Sequence, residues 1–364
     1  MPVLLILLFM TSAFAIGSMP VTRSVAEKAV ANANLSALDS AACLSNGITL
    51  LEQFPNDVPA GKEVQRAISK WLPDAQEFFR ERYTQLNNSA SFYLYARSTN
   101  FSVPEQEVQA WIEREPDNSW LWLCYMATEW HKESPAPELV RERIEKSILL
   151  NPSRPEGYSF LGLYYDEQGD LKAAREAYES CLIADSNNEG TRSRLLDIYL
   201  TQRDSQAYFA LINGVVPDQP LDVELGTIGS PNVTISSQEL RGQVSLLVYW
   251  SIGSEICINH TLAEMNKAIA DNRIKWPVYA IHVGGDSADA SKFVEETDRN
   301  GERWKVNFVR SADAVDLRLN QPTKPCVFVV GADGYVHALL HGKGHEKDLL
   351  DTIIWLAEQV QSGM

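Results

Sequence analysis

Five cysteines carry the thiol chemistry open to this chain: Cys43, Cys124, Cys181, Cys257 and Cys326. No two of them form a Cys-x-x-Cys pair. Six histidines (His131, His260, His282, His337, His341 and His345) are scattered, and no Cys/His cluster has metal-ligand spacing, so no metal site is expected. No Ser/His/Asp or Cys/His catalytic arrangement emerges, and no glycine-rich phosphate loop follows a strand pattern. One segment stands out, Ser254-Glu255-Ile256-Cys257, because it opens a helical pattern directly after an apolar run. A thiol in the first turn of a helix is stabilised as thiolate by the dipole and the free N–H groups. Ser254 is a good N-cap there, and Glu255 suits the first turn. His260 lies at i+3 from Cys257, within reach of its thiol on a helix, although a solvated position explains it more simply.

The elements that must position this segment alternate between strand and helix. Val244–Trp250 (VSLLVYW) is an apolar run of buried-strand type, followed by a helix over Glu255–Asp271 and a strand over Val278–Val283. Ser291–Arg299 is predicted helical and Val306–Val309 a short strand. Val327–Val330 and Tyr335–Leu340 form a predicted hairpin around Ala332-Asp333-Gly334, and Glu346–Gln361 closes the chain as an amphipathic helix. The order of elements predicts an α/β domain over 221–364, with a Pro/Asp linker at 216–220 before it.

This stretch resembles the TlpA-like branch of the thioredoxin superfamily along its full length. The resemblance rests on Ser237–Gln243 (SQELRGQ) as lead-in and Val248-Tyr249-Trp250-Ser251 as the end of the central strand. Thr323-Lys324-Pro325 matches the loop whose proline is cis, and Gly331-Ala332-Asp333-Gly334 the hairpin turn after it. It implies a thioredoxin-like fold, a central mixed sheet flanked by helices, with Trp250, Glu255 and Pro325 around the active-site loop. The family's Cys-x-x-Cys is replaced here by Ser254-x-x-Cys257. A serine hydroxyl is not ionised near neutrality and forms no disulfide, so the two-cysteine exchange route is excluded.

Three uses of the site remain open. The first is a binding or scaffolding module in which Cys257 is a half-buried relic. The second is a rewired redox pair: Cys326 directly follows Pro325, and in this fold that loop lies against the start of the active-site helix. Cys257 and Cys326 would then approach bridging distance, although a residue after that proline also sits in a buried strand where a small cysteine is common. The third is a thiol peroxidase, since peroxiredoxins share the fold and carry Thr/Ser-x-x-Cys with the later cysteine as nucleophile. Against it, Trp250 stands where the family's proline belongs, and Pro325 aligns with its peroxide-polarising arginine. Cys257, Ser254 and Cys326 are therefore the candidate catalytic residues, and no cofactor is expected.

Before the linker, Val25–Asp204 reads almost entirely helical. Three helix-ending segments look alike, and their turn positions Pro116, Pro152 and Ser186 are 36 and 34 residues apart. That is the period of a helix–turn–helix repeat. The best unit, 155–188, resembles the tetratricopeptide family at Tyr158, Leu161, Gly162, Tyr165, Gly169, Ala174 and Tyr178, with Cys181 where alanine is usual. Gly162 and Ala174 are expected to let two helices approach closely, and Tyr165 and Tyr178 to fill the space between repeats. Ser153 through Glu156 has capping-box spacing, with Pro155 in the first turn. The resemblance implies an all-α repeat domain over 16–215 whose concave face binds peptides or partner proteins. Cys124 and Cys181 are expected as small buried hydrophobes.

The formal charge of −16, with the signs mixed along the chain, repels phosphate backbones and acidic lipid, so nucleic acid is not an expected partner. Met1–Ala15 (MPVLLILLFMTSAFA) carries a short apolar run, Leu4–Met10, and an Ala13-Phe14-Ala15 cleavage pattern. It predicts a secretory signal peptide over 1–15, although its basic leader is missing, and export to a periplasm or similar lumen. No later run reaches the ~20 apolar residues of a membrane span. No cysteine near the cleavage site favours a lipid anchor. In an exported chain, five cysteines leave at least one thiol free or intermolecular.

Overall fold

In the N-terminal half, helix after helix is started by a short polar side chain. Ser24, Asp39, Asp57, Asp74, Asn88, Asn118 and Asp170 each accept a hydrogen bond from a backbone N–H of the following first turn. Such caps satisfy amide donors that have no partner inside the helix. Two helices stop at Asn34 and Asn87, with φ of 44° and 45°, the left-handed conformation that asparagine tolerates. The computed structural model describes residues 24–213, 215–216, 218–228, 234–283, 287–296, 298, 300–311, 326–341 and 349–363. The expected signal peptide at 1–15 and the Thr323-Lys324-Pro325 loop lie outside the described residues.

Two compact units result, Met1–Leu195 and Leu196–Met364. The first is a run of antiparallel helix pairs. Helices starting at Ser119 and Pro155 pack on partners starting at Pro137 and Leu171, so the repeat read from the turns is the repeat of the fold. Within the pair Pro155–Glu167 and Leu171–Ala184, Gly162 faces the Tyr178 ring so closely that any Cβ at 162 would overlap it. Tyr178 is therefore buried inside its own repeat rather than between repeats. Tyr165 is only partly buried and packs at the edge of the neighbouring helices' core, while Tyr164 is the more buried of the two. The capping box expected at Ser153 does not form. Arg154 occupies the N-cap without a side-chain bond, and Ser153 Oγ turns back to Asn151 Oδ1 at 2.8 Å. Pro155 stands in the first turn, as expected. Cys43, Cys124 and Cys181 are buried free thiols in these helices.

The second unit is built on a seven-stranded mixed sheet. Its strands are β1 (Glu224–Thr227), β2 (Thr234–Ser236), β3 (Ser245–Trp250), β4 (Val278–His282), β5 (Asn307–Ser311), β6 (Cys326–Val330) and β7 (Val336–His341), in the order β2-β1-β5-β4-β3-β6-β7. β3, β4 and β5 run parallel, and β6 and β7 add an antiparallel hairpin beside β3. This is the thioredoxin-like arrangement. All six residues of β3 are buried, as its unbroken apolar run requires of a strand covered on both faces. β1 and β2 are additions that no hydrophobic alternation announces. The helix expected at Ser291–Arg299 instead spans Ser287–Glu295.

The units part upstream of the expected linker at 216–220. Helix Ser205–Ile212, capped by Asp204, packs on β7, and its Tyr208 is fully buried there. The Tyr208 hydroxyl donates to the Leu339 carbonyl at 2.9 Å and accepts from the Leu339 N–H at 3.2 Å. Ser205–Ile212, inside the expected 16–215 repeat domain, thus belongs to the second unit.

Candidate functional site

β3 ends at Trp250 with its side chain fully buried. The indole packs against His282, Phe293 and Phe308 with ring centroids 4.9, 5.0 and 5.2 Å away. Its Nε1–H meets no acceptor among the described residues. The Trp250 carbonyl accepts from Val283 N at 2.9 Å, so the end of β3 is fixed to β4. The chain then turns through Ser251–Gly253 into the candidate segment.

Ser254 Oγ accepts from the Cys257 N–H at 3.3 Å, and the Ser254 carbonyl accepts from Ile258 N at 3.2 Å. Ser254 is therefore the N-cap that its position predicted. It occupies, with a hydroxyl, the place at which a helix start would activate a thiol. Glu255 and Ile256 are exposed, whereas Cys257 is 0 % exposed. Burial is deeper than the half-buried state expected of Cys257, and it separates the sulfur from solvent-borne thiols and peroxides. Ile256–Leu262 winds as a π-helix before Ala263–Ala270 continues as an α-helix. Wide turns of this kind are rare and concentrate at functional sites. His260 points to solvent, the simpler of its two expected positions.

Cys326 opens β6, where its Cα partners are Tyr249 on β3 and His341 on β7. It is fully buried, and burial pushes its thiol well above the ordinary cysteine range. Cys257 and Cys326 are free thiols, with no disulfide between them. Pro325, the third part of the expected constellation, lies outside the described residues. Among the described residues no group of three or more His, Cys, Asp or Glu side chains is placed to hold a metal ion.

A second candidate lies in the helical unit. Its helices surround a 940 Å³ cavity lined by Lys62, Trp120, Arg154 and Glu156 among others. Lys62 Nζ and the Arg154 guanidinium both lie over the Trp120 ring, 4.7 and 3.6 Å from its centroid. Lys62 is ion-paired with Glu156. Sequence reasoning missed these residues, because they come from three distant stretches and share no motif. The only signal was the repeat itself, which implies a concave face.

No protein-family profile matches the chain. It is similar to cellulose synthase operon protein C of Pseudomonas fluorescens (strain SBW25), at 31% identity over 105 residues. That stretch is 29% of this chain, and the chain spans only 7% of the length of that relative. Among solved structures it is similar to a secreted Mycobacterium tuberculosis disulfide oxidoreductase, at 19% identity, covering 38% of this chain and 98% of that one with a TM-score of 0.30. It is also similar to a thermophilic TPR protein of Thermus thermophilus, at 16% identity, covering 47% and 88% of the two chains with a TM-score of 0.35. Among the described residues no helix is long and apolar enough to cross a membrane.

Proposed function

We propose that this chain is an exported protein-interaction scaffold of the periplasm or a similar lumen. Its helical repeats bind a protein or peptide partner, and its TlpA-like domain has lost dithiol exchange. The observation that carries the proposal is the hydrogen bond from Cys257 N–H to Ser254 Oγ. The position that needs an ionisable, exposed sulfur holds a capping hydroxyl, and the remaining thiol is fully buried. Panning a random peptide display library on the full-length protein tests the binding role. Enriched sequences that a soluble copy of the protein displaces would support it, and a library that never enriches would count against it.

A second use of the site is favoured by the π-helical segment that holds Cys257 and by the place of Cys326 beside the end of β3. In that case Cys257 and Cys326 form the redox pair. An external disulfide accepts two electrons from the two thiols, which lose two protons and join as a disulfide. Mass mapping after mild oxidation separates the two proposals, since the scaffold keeps both thiols reduced. A peroxidase has less support, because a fully buried sulfur cannot meet peroxide readily.

A further inference from the structure

The 940 Å³ cavity of the helical unit lies between two walls that belong to different apolar cores. Helices Val25–Ala33 and Val58–Ile68 form one wall, and their Val30, Val64 and Ile68 lie in the first core. Trp120 and the turns around 151–156 and 184–187 form the other, and Trp120, Ile144 and Tyr164 lie in the second core. Val58–Ile68 packs on Val25–Ala33, Ser40–Gln53 and Ser89–Ser98, whereas Pro155–Glu167 packs on Pro137–Leu150 and Leu171–Ala184. The two cores meet at Ser89–Ser98. Its Phe92 and Tyr93 belong to the second core and its Leu94 to the first. Gly61 approaches Leu94 so closely that a Cβ would overlap it, and Gln65 Nε2 donates to the Leu94 carbonyl at 2.8 Å.

Among the described residues, Lys62 and Glu156 form the one ion pair that joins the two walls. From Val58–Ile68, Lys62 reaches over the Trp120 ring, 4.7 Å from its centroid, to the Glu156 carboxylate. Arg154 covers the same ring at 3.6 Å and donates to Ser119 Oγ at 2.5 Å, so Trp120 is held to its own wall. The Lys62 and Glu156 side chains are only 13% and 25% exposed. Burial lowers the Lys62 pKa, and Glu156 offsets part of that. Such a pair adds little net stability, because desolvation offsets the attraction, yet removing one partner strands the other charge. Regions joined by few buried apolar contacts also open at lower free energy than the cores on either side. We propose that the Lys62–Glu156 pair is a strap that holds the cavity closed. Its release lets the first three helices swing away from Trp120 about the contact at Leu94. The strap thus sets access to the cavity, whichever partner the repeats take.

A distance measurement reads this motion without any partner. The five native cysteines are buried, so Ser36→Cys and Ser153→Cys, at exposed positions on the two walls, would take nitroxide labels selectively. Pulsed electron spin resonance on the full-length protein should then show a single short distance. Glu156→Gln should add a longer one, with the closed-to-open ratio falling at least about tenfold, because Lys62 loses its counter-charge. Lys62→Gln breaks the same pair from the other side and should act alike. Lys62→Arg keeps the charge, the ring contact and the partner, and should stay closed. Far-UV circular dichroism checks that each variant retains the native helix content. One unchanged short distance in both glutamine variants would overturn the strap, as would equal widening in Lys62→Arg. Neither result touches the binding role of the repeats, which library panning tests by itself.

Discussion

Replacing Tyr208 with phenylalanine should destabilise the second unit far more than loss of one oxygen suggests. Among the described residues β7 is the edge strand of the sheet, so on its outer side its backbone groups pair with no described strand. The Tyr208 hydroxyl closes that edge at one residue, accepting from Leu339 N–H and donating to Leu339 C=O. Tyr208→Phe keeps the ring and its packing but leaves two buried backbone groups unpaired. Each costs about 1–3 kcal/mol, so a total of about 2–6 kcal/mol is expected. For a unit of this size, at about 2–4 °C per kcal/mol, the melting transition should fall by about 4–24 °C. Burial raises the phenol's pKa, so the hydroxyl stays a donor across the accessible pH range and the loss should not depend on pH. Calorimetry of the full chain reads the transition, and hydrogen-exchange mass spectrometry of a peptide covering 336–341 reads the Leu339 amide. The same geometry predicts that a fragment covering 219–364, cut at the linker that sequence alone indicates, folds poorly because it lacks Tyr208. A change below about 0.5 kcal/mol with unaltered exchange at Leu339, or a fragment 219–364 as stable as one beginning at Asp204, would refute the reasoning.

Other outcomes follow from single residues. Gly162→Ala should cost about 1–3 kcal/mol of the helical unit, since its Cβ overlaps the fully buried Tyr178 ring; urea unfolding followed by far-UV circular dichroism measures it. Asp298 is buried, which alone would raise its pKa, but bonds from Asn266 Nδ2 at 3.0 Å and from Asn300 N and Glu302 N at 2.9 Å outweigh this and hold it below the ordinary value. Its contribution is therefore present above about pH 4, the unfolded value, and is lost as pH falls through the lower folded value. Asp298→Asn should cost about 1.5–3 kcal/mol near neutrality and progressively less in acid; a difference that grows as pH falls would contradict the assignment.

The sheet was legible where residues are buried on both faces. The apolar run of β3 predicts a covered central strand, and six residues of it are buried. β1 and β2 were not legible, being three or four residues long with no alternation, and they are ordered only by pairing with each other and with β5. The repeat period gave the helix pairs, but period cannot say which core a terminal helix joins. Ser205–Ile212 packs on β7, where the Tyr208 hydroxyl pairs with both backbone groups of Leu339. Ser153 shows the local limit of motif reading, since its hydroxyl prefers Asn151 to the helix amide. Of the thiol site, the cap at Ser254 was readable from residue type and place. The full burial of Cys257 was not, because it depends on how a π-helical turn points the sulfur inward. The cluster of Lys62, Trp120, Arg154 and Glu156 was invisible, as residues so far apart meet only through the stacking of helices.

The central claim is that Ser254 is what silences this thioredoxin-like site. Reduction of insulin disulfides by the full-length protein, compared with its Ser254→Cys variant, tests it most directly. The native protein should be no faster than a free-thiol control, because its one helix-start sulfur is buried and has no partner thiol across the turn. Ser254→Cys places a second sulfur at the N-cap. The variant should oxidise to a disulfide between the introduced thiol and Cys257, seen by peptide mapping, and gain reductase activity. Robust reduction by the native protein that Cys257→Ser abolishes would contradict the account, as it would mean that the buried thiol is the working one.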